Sequence, residues 1–310
     1  MTYFGFLARF LLPPLVALGL LHALDRRRGR RLPANLRARN PWTVIGALVV
    51  VALVYTTPWD NYLVASGTWW YDPDLVAVDW VIGWVPLEEY CFFVLQTVMT
   101  GMLWLWLARR LEVDRSATTL RPATAGGGEP SVPVPASQDR RALALRRAGV
   151  LLLAAPWLWA VAVIVSGWLP GRYLALELAW ALPPIAFQVG FGVDILWRRR
   201  RSVLAAIGVA TLYLAAADLL AIRAGTWTIS PEQTLGWLLP GGLPLEEGVF
   251  FLITNVLVVF GLTLVVARES QERVAGWPWL GPRLAAVEPD SGTGPTAAPG
   301  RAPRDASSEG

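Results

Sequence analysis

The chain has 310 residues, 55% of them hydrophobic and 16% charged, with a formal net charge of +4. Several apolar runs reach the ~20 residues that cross a bilayer as a helix, which excludes a soluble globular protein and reads as an integral membrane protein. All 27 basic residues are arginine and most lie between apolar runs, a pattern of membrane orientation rather than nucleic-acid binding; one cysteine and one histidine exclude an internal disulfide and a His/Cys metal cluster.

Seven spans are predicted in chain order. The first, 3–24, lacks a basic leader and a small-residue cleavage site, so it is expected to be a retained helix, with His22 an interfacial residue at its end. The loop 25–40 holds seven arginines and leads to the second span, 42–58. A loop over 59–83 precedes the third span, 84–108, in which Cys91 reads as a packing residue. Residues 109–149 hold eight arginines, and the Gly-, Pro-, Ser- and Thr-rich stretch 115–140 within them reads as disordered. Spans over 149–169 and 173–197 follow, then four arginines at 198–201, a span over 203–222, a loop over 223–241 and a last span over 242–267. Everything past about residue 281 again reads as disordered. The loops 59–83, 170–172 and 223–241 contain only Arg172 and Arg223, so the positive-inside rule puts the N-terminus outside and the C-terminus in the cytoplasm.

A repeat is superimposed on this order. "DNYLVASGTWWYDPDLVAVDWVIGWVPLEEYCFF" starts at Asp60 and "DLLAIRAGTWTISPEQTLGWLLPGGLPLEEGVFF" at Asp218, an offset of 158 that runs without a gap over 34 positions. Spans 1 to 3 therefore pair with spans 5 to 7, and an even number of crossings between them makes the repeat parallel. The expected fold is an all-α integral membrane protein of about seven transmembrane helices. It divides into a first repeat (1–110), a disordered cytoplasmic linker (111–148), a connector helix (149–170), a second repeat (171–268) and a disordered cytoplasmic tail (269–310).

The repeat carries "PLEEYCFF" from Pro86 and "PLEEGVFF" from Pro244. One such motif makes a good helix start, because Pro needs no N–H partner there and acids favour the positive end of the helix dipole. Two copies on the same side suggest chemistry as well. Residues four apart share a helix face, so Glu88 and Glu89 lie over Phe92 and Phe93, and Glu246 and Glu247 over Phe250 and Phe251. Adjacent glutamates diverge by ~100°, so one of each pair can face a pocket while its neighbour bonds elsewhere. A carboxylic acid beside aromatic faces suits protonation of an alkene, with π faces stabilising the cation and a carboxylate or water removing a proton. That chemistry asks for no metal and no cofactor, and the sequence shows no dinucleotide, P-loop or nucleophile-elbow motif.

"TPWDNYL", "GTWWYDP", "PLEEYCFFVLQT", "GTWTISPE" and "PLEEGVFFLITNVLVVFG" resemble the two halves of the membrane-embedded carotenoid (lycopene) cyclases, over roughly residues 1–268. In that family the halves occur as two small subunits, as a tandem fusion, or as one domain of fungal bifunctional enzymes. The loop 109–149 looks like the seam of such a fusion; past Arg268 only a tail is expected, without the Asp-rich site of the fungal phytoene synthase partner. The resemblance implies non-redox cyclisation of the linear ψ-end of lycopene to a β-ionone ring. It implies that Glu88, Glu89, Glu246 and Glu247 are the acid and base candidates and that Phe92, Phe93, Phe250 and Phe251 line the pocket, with Trp69 and Trp227 as further candidates. Asp60 and Asp218 occupy matching positions, as site residues or interfacial caps; Gln96 and Asn255 lie deeper, to orient a carboxyl group or to bond between helices. The implied partners are a carotenoid taken from the bilayer, membrane lipids and other carotenoid-pathway enzymes, with no cofactor and no nucleic acid. A C50 or ε-ring cyclase of the same family is the nearest alternative. A proton-coupled transporter would instead put polar residues through the midplane, whereas the acids cluster at one end with Asp194 the main exception. A non-catalytic subunit of a carotenoid complex would leave the duplicated glutamates unexplained.

Overall fold

The computed structural model describes residues 1–77, 79–112 and 136–276. Met1–Gln271 form one compact unit; of the second, Glu272–Gly310, only residues 272–276 are described. Among the described residues, seven helices are long and apolar enough to span a membrane. They are α1 (Tyr3–Arg27), α2 (Pro41–Ala65), α3 (Leu87–Leu111), α4 (Ala136–Ser166), α5 (Arg172–Arg198), α6 (Arg200–Arg223) and α7 (Leu245–Val266). A short α8, Arg268–Ala275, follows.

Two boundaries differ from the sequence reading. The connector helix starts at Ala136, so residues 136–148, expected in the linker, belong to α4; Ala, Leu and Arg are strong helix formers there. Residues 113–135, the remainder of that expected linker apart from its ends, lie outside the described residues. Residues 269–275, expected in the disordered tail, are helical, and both carboxylate oxygens of Glu269 accept from the one Nη2 of Arg199, each at 2.9 Å. The tail from 277 onward lies outside the described residues.

The two repeats pack alike. Within the first, α3 packs against α1 and α2; within the second, α7 packs against α5 and α6. Between them, α3 meets α6 and α7, and α2 meets α7, while α4 packs on α5. Close approach of α3 to its neighbours depends on Gly101, where a Cβ would lie 2.9 Å from Ile45 and 3.6 Å from Leu262. One apolar cluster fills the end of the bundle near the arginine-rich loops, around Ile45, Trp104, Ile207 and Leu262; another fills the opposite end, around Phe6, Phe92, Leu214 and Phe251.

Proline shapes both first helices of the repeats. Pro14 and Pro184 have no N–H to give the carbonyls of Phe10 and Trp180, one turn earlier. The hydroxyl of Tyr213 donates to the Phe10 carbonyl at 2.9 Å, and that of Tyr55 to the Trp180 carbonyl at 2.8 Å. Tyr55 and Tyr213 are equivalent in the repeat, so both halves satisfy a freed backbone group with the same side chain, as an apolar bilayer demands.

Above the motif-bearing helix ends, three small ribbons supplement the all-α bundle. Strand β1 (Trp69–Tyr71) pairs antiparallel with its own repeat partner β4 (Trp227–Ile229), with Trp70 opposite Thr228. A strand that pairs with its own equivalent is the self-complementary contact of a two-fold axis, here passing between the halves. The hairpins β2–β3 (Val81–Ile82, Val85–Pro86) and β5–β6 (Leu238–Leu239, Leu243–Pro244) each turn the chain straight into a Glu-Glu helix.

Candidate active site

Each Pro-Leu-Glu-Glu segment places its two carboxylates differently. Glu88 is buried, and its Oε1 accepts the backbone N–H of Ala77 at 2.8 Å. Glu246, also buried, accepts the N–H of Leu235 at 2.8 Å. Ala77 and Leu235 are equivalent in the repeat, so the first glutamate of each pair ties down the loop that leads into its own helix.

The second glutamates turn to a shared cavity at the two-fold axis. Glu89 accepts the hydroxyls of Tyr3 at 2.6 Å and of Tyr71 at 3.0 Å. Glu247 accepts the hydroxyl of Tyr173 at 2.8 Å. Tyr3 and Tyr173 open the first helix of each repeat, and each is anchored by its backbone: Tyr3 N–H donates to the Leu75 carbonyl at 2.8 Å and Tyr173 N–H to the Gln233 carbonyl at 3.0 Å. The arrangement is thus duplicated down to the tyrosine that positions the carboxylate. Tyr71, in β1, has no counterpart, since Ile229 stands there. Burial, and then the adjacent Glu89 carboxyl, push the Tyr71 phenol well above its ordinary pKa, so it serves as a hydrogen donor.

The cavity has a free volume of about 40 Å³ and is lined by Asp60, Glu89, Asp218 and Glu247 together with Trp69, Trp227, Phe92, Phe93, Phe250 and Phe251. Ten of the fourteen residues singled out in the sequence therefore meet in one place. Asp218 accepts the indole N–H of Trp227 at 3.0 Å. Neither oxygen of Asp60 has a protein donor, and the equivalent Trp69 indole donates to Tyr71 at 3.2 Å instead. Phe92 and Phe251 meet edge to face across the axis at 6.3 Å, and Phe251 also meets its own neighbour Phe250 edge to face at 5.3 Å.

Four of those residues lie elsewhere. Glu88 and Glu246 hold loops, as above. Gln96 donates to Thr254 at 2.9 Å, and these two positions are themselves repeat equivalents, so the bond crosses the axis. Asn255 accepts from Thr100 at 2.7 Å and donates to the Phe251 carbonyl at 2.7 Å. Both amides bond between or along helices below the carboxylates.

Sequence reasoning missed Tyr3, Phe6, Trp59, Tyr71 and Tyr173, which also line the cavity. A signal for two of them was present. Tyr3 and Tyr173 each precede a Leu-Pro-Pro by the same distance, ending at Pro14 and Pro184, but at an offset of 170 rather than 158. Glu177, one turn along α5, is fully buried beside the Tyr173 phenol, whose single hydroxyl hydrogen already goes to Glu247, and its equivalent in the first repeat is Leu7.

Chemically, the site presents four carboxyl groups and a set of phenols and aromatic faces in an enclosed apolar volume. Carboxyls crowded in such a setting share protons among themselves, and the surrounding rings offer π faces to a positive charge. It is therefore equipped to give a proton to a hydrocarbon and to take one back.

No family model matches the chain, and no solved structure matches it. Among curated proteins, the lycopene beta-cyclase of Halobacterium salinarum is 41% identical over 264 residues, 85% of this chain and 95% of the archaeal one. The bifunctional lycopene cyclase/phytoene synthase of Podospora anserina is 37% identical over 222 residues, 71% of this chain and 34% of the fungal one. That of Phaeosphaeria nodorum is 35% identical over 254 residues, 82% of this chain and 39% of the relative. Identity of this degree across nearly the whole archaeal protein, in a seven-span chain whose duplicated Glu-Glu motifs close on one pocket, has one meaning: the chain belongs to the membrane-embedded lycopene cyclase family.

Proposed function

We propose that this membrane protein cyclises the linear ψ-end of lycopene to a β-ionone ring by protonation, with no net redox change. The observation that carries the mechanism is the pairing of Glu89 and Glu247, each oriented by a phenol from the first helix of its repeat, on either side of an aromatic cavity. The substrate class follows from the archaeal relative, named a lycopene beta-cyclase.

A carboxylic acid of the pair delivers its proton to the terminal double bond. The tertiary cation that results is attacked by the next double bond, which closes a six-membered ring and moves the charge onto a ring carbon. Loss of a neighbouring proton to a carboxylate forms the ring alkene, so one proton enters and one leaves. Phe92, Phe93, Phe250 and Phe251 face this charge from the cavity wall, and exclusion of water by the apolar shell protects the cation from capture. Asp60 and Asp218 complete the set of groups through which the proton can return. A cavity of about 40 Å³ is far smaller than a six-membered ring with its methyl groups, so an end group enters only when aromatic side chains swing aside.

The test is expression in a bacterium that accumulates lycopene. The expected result is yellow-orange pigment whose chromatographic and mass analysis shows cyclic β end groups at unchanged mass. Recovery of unaltered lycopene would sink the reading, and ε rings or cyclised C50 products would redirect it within the family.

By the positive-inside rule, the arginine-rich loops favour a topology with the carboxylate end of the bundle on the outer side, the N-terminus outside and the C-terminus cytoplasmic. In a Cys91→Ala background, an impermeant thiol reagent applied to intact cells is expected to label Asp74→Cys and to spare Arg147→Cys. The reverse pattern would invert the topology.

A further inference from the structure

Below the carboxylates, on one side of the two-fold axis, lies a second cavity of about 190 Å³ between α2, α3, α5 and α7. Phe93 and Phe250 line both cavities, so the two adjoin at these rings. Its walls are mostly apolar, with Leu48, Val51 and Ala52 on α2, Pro184 on α5 and Leu257 on α7, and also carry polar groups such as those of Gln96 and Gln188. The space exceeds the ~150 Å³ in which a dry, hydrocarbon-lined protein cavity takes up a molecule such as benzene.

The cavity also reaches the outer face of the bundle. Val51, Tyr55 and Trp180 continue into an open groove along Val50, Val54 and Trp59. Val50, Val51 and Val54 are 60%, 57% and 71% exposed, on a helix that spans the membrane, so the groove faces hydrocarbon. Trp59 stands at the junction. It stacks on Trp180 at 4.5 Å, on Phe250 at 6.0 Å, and lines the carboxylate cavity as well.

The repeat supplies a comparison within the molecule. On the other side of the axis, Thr56, Gln188 and Leu257 are replaced by Leu214, Leu18 and Met99, all buried, and Trp59 by Ala217. The halves match at the carboxylates and differ in the shell below them. The difference falls where a chain attached to the reacting end group would have to lie.

We propose that the cavity between α2, α3, α5 and α7 is the berth for the linear isoprenoid chain next to the reacting end, reached laterally from the bilayer between α2 and α5. This rests on the cyclase reading and deepens it. The end group passes the Trp59–Phe250 stack to the carboxylates while the remainder of the hydrocarbon stays in the cavity and in lipid. One route serves both carboxylates, so the two ends of a symmetric linear polyene are handled in separate binding events.

The repeat also provides the control. Val51 and Val209 are equivalent and similarly exposed, at 57% and 53%, so a tryptophan at either meets lipid and both variants should fold. In membranes at limiting lycopene, Val51→Trp is expected to lower kcat/KM at least tenfold, chiefly through KM, and Val209→Trp to stay within twofold. Independently of turnover, linear pigment co-purifying with the Glu89→Gln/Glu247→Gln protein should fall several-fold on adding Val51→Trp and remain on adding Val209→Trp. Equal behaviour of the two tryptophan variants in both measurements, with the parent enzyme active, overturns the berth and leaves the cyclase reading intact. If the parent makes no cyclic product, the cyclase reading fails, and selective loss of retained pigment in Val51→Trp alone still decides for or against the berth.

Discussion

Glu88 and Glu89 are neighbours in sequence and opposites in placement. Glu88 accepts a backbone N–H of its own loop, whereas Glu89 accepts two phenols at the cavity. Glu88→Gln keeps an acceptor for Ala77, so it is expected to retain turnover, while Glu88→Ala leaves that N–H unpaired and lowers stability by about 1–3 kcal/mol. Glu89→Gln and Glu247→Gln can no longer exchange a proton and should each lower kcat by about 100-fold or more, with membrane levels unchanged. Pigment analysis and immunoblotting of the same membranes check both halves of this prediction. Glu177 offers a separate test. A buried carboxyl without a donor of its own costs stability, and the first repeat does without it at Leu7. Glu177→Leu should therefore raise the thermal midpoint of the detergent-solubilised protein, a gain of about 1–3 kcal/mol. A lower midpoint would mean that Glu177 is paired in the folded protein.

At the scale of the elements, the helices were legible because ~20-residue apolar runs can do little else in a bilayer. The parallel repeat was legible from the ungapped offset beginning at Asp60. What escaped was the alignment of α1 with α5, because the connection between the first and second helix of each repeat differs by 12 residues and shifts the offset from 158 to 170. With that shift went Tyr3 and Tyr173, the groups that aim Glu89 and Glu247. Nor could helix geometry choose between the glutamates of each pair. That choice is made by the loop: Ala77 and Leu235 present an N–H to the first glutamate, which leaves the second for the cavity. The three ribbons were hidden for a related reason, since two- and three-residue strands carry no periodicity to read.

Six of the seven spans form two copies of a three-helix unit closed on a common cavity, and neither copy alone contains it. The first contributes Asp60, Glu89 and the Tyr3 and Tyr71 phenols; the second contributes Asp218, Glu247 and Tyr173. What joins them in space is helix packing, α3 against α6 and α7 and α2 against α7, together with the β1–β4 pairing and the bond from Gln96 to Thr254. The covalent connection through 113–135 is therefore not what holds the site together. Cutting there and co-expressing residues 1–112 with 136–310 is expected to restore cyclisation to within a few-fold of the intact chain, and a tag on either fragment should recover both. Each fragment expressed alone should leave lycopene unchanged, because a single carboxylate set faces no opposing wall of phenylalanines. If the second fragment cyclised lycopene by itself, Glu247 and its neighbours would be sufficient, and the matched geometry around Glu89 would be a remnant of duplication rather than half of the site.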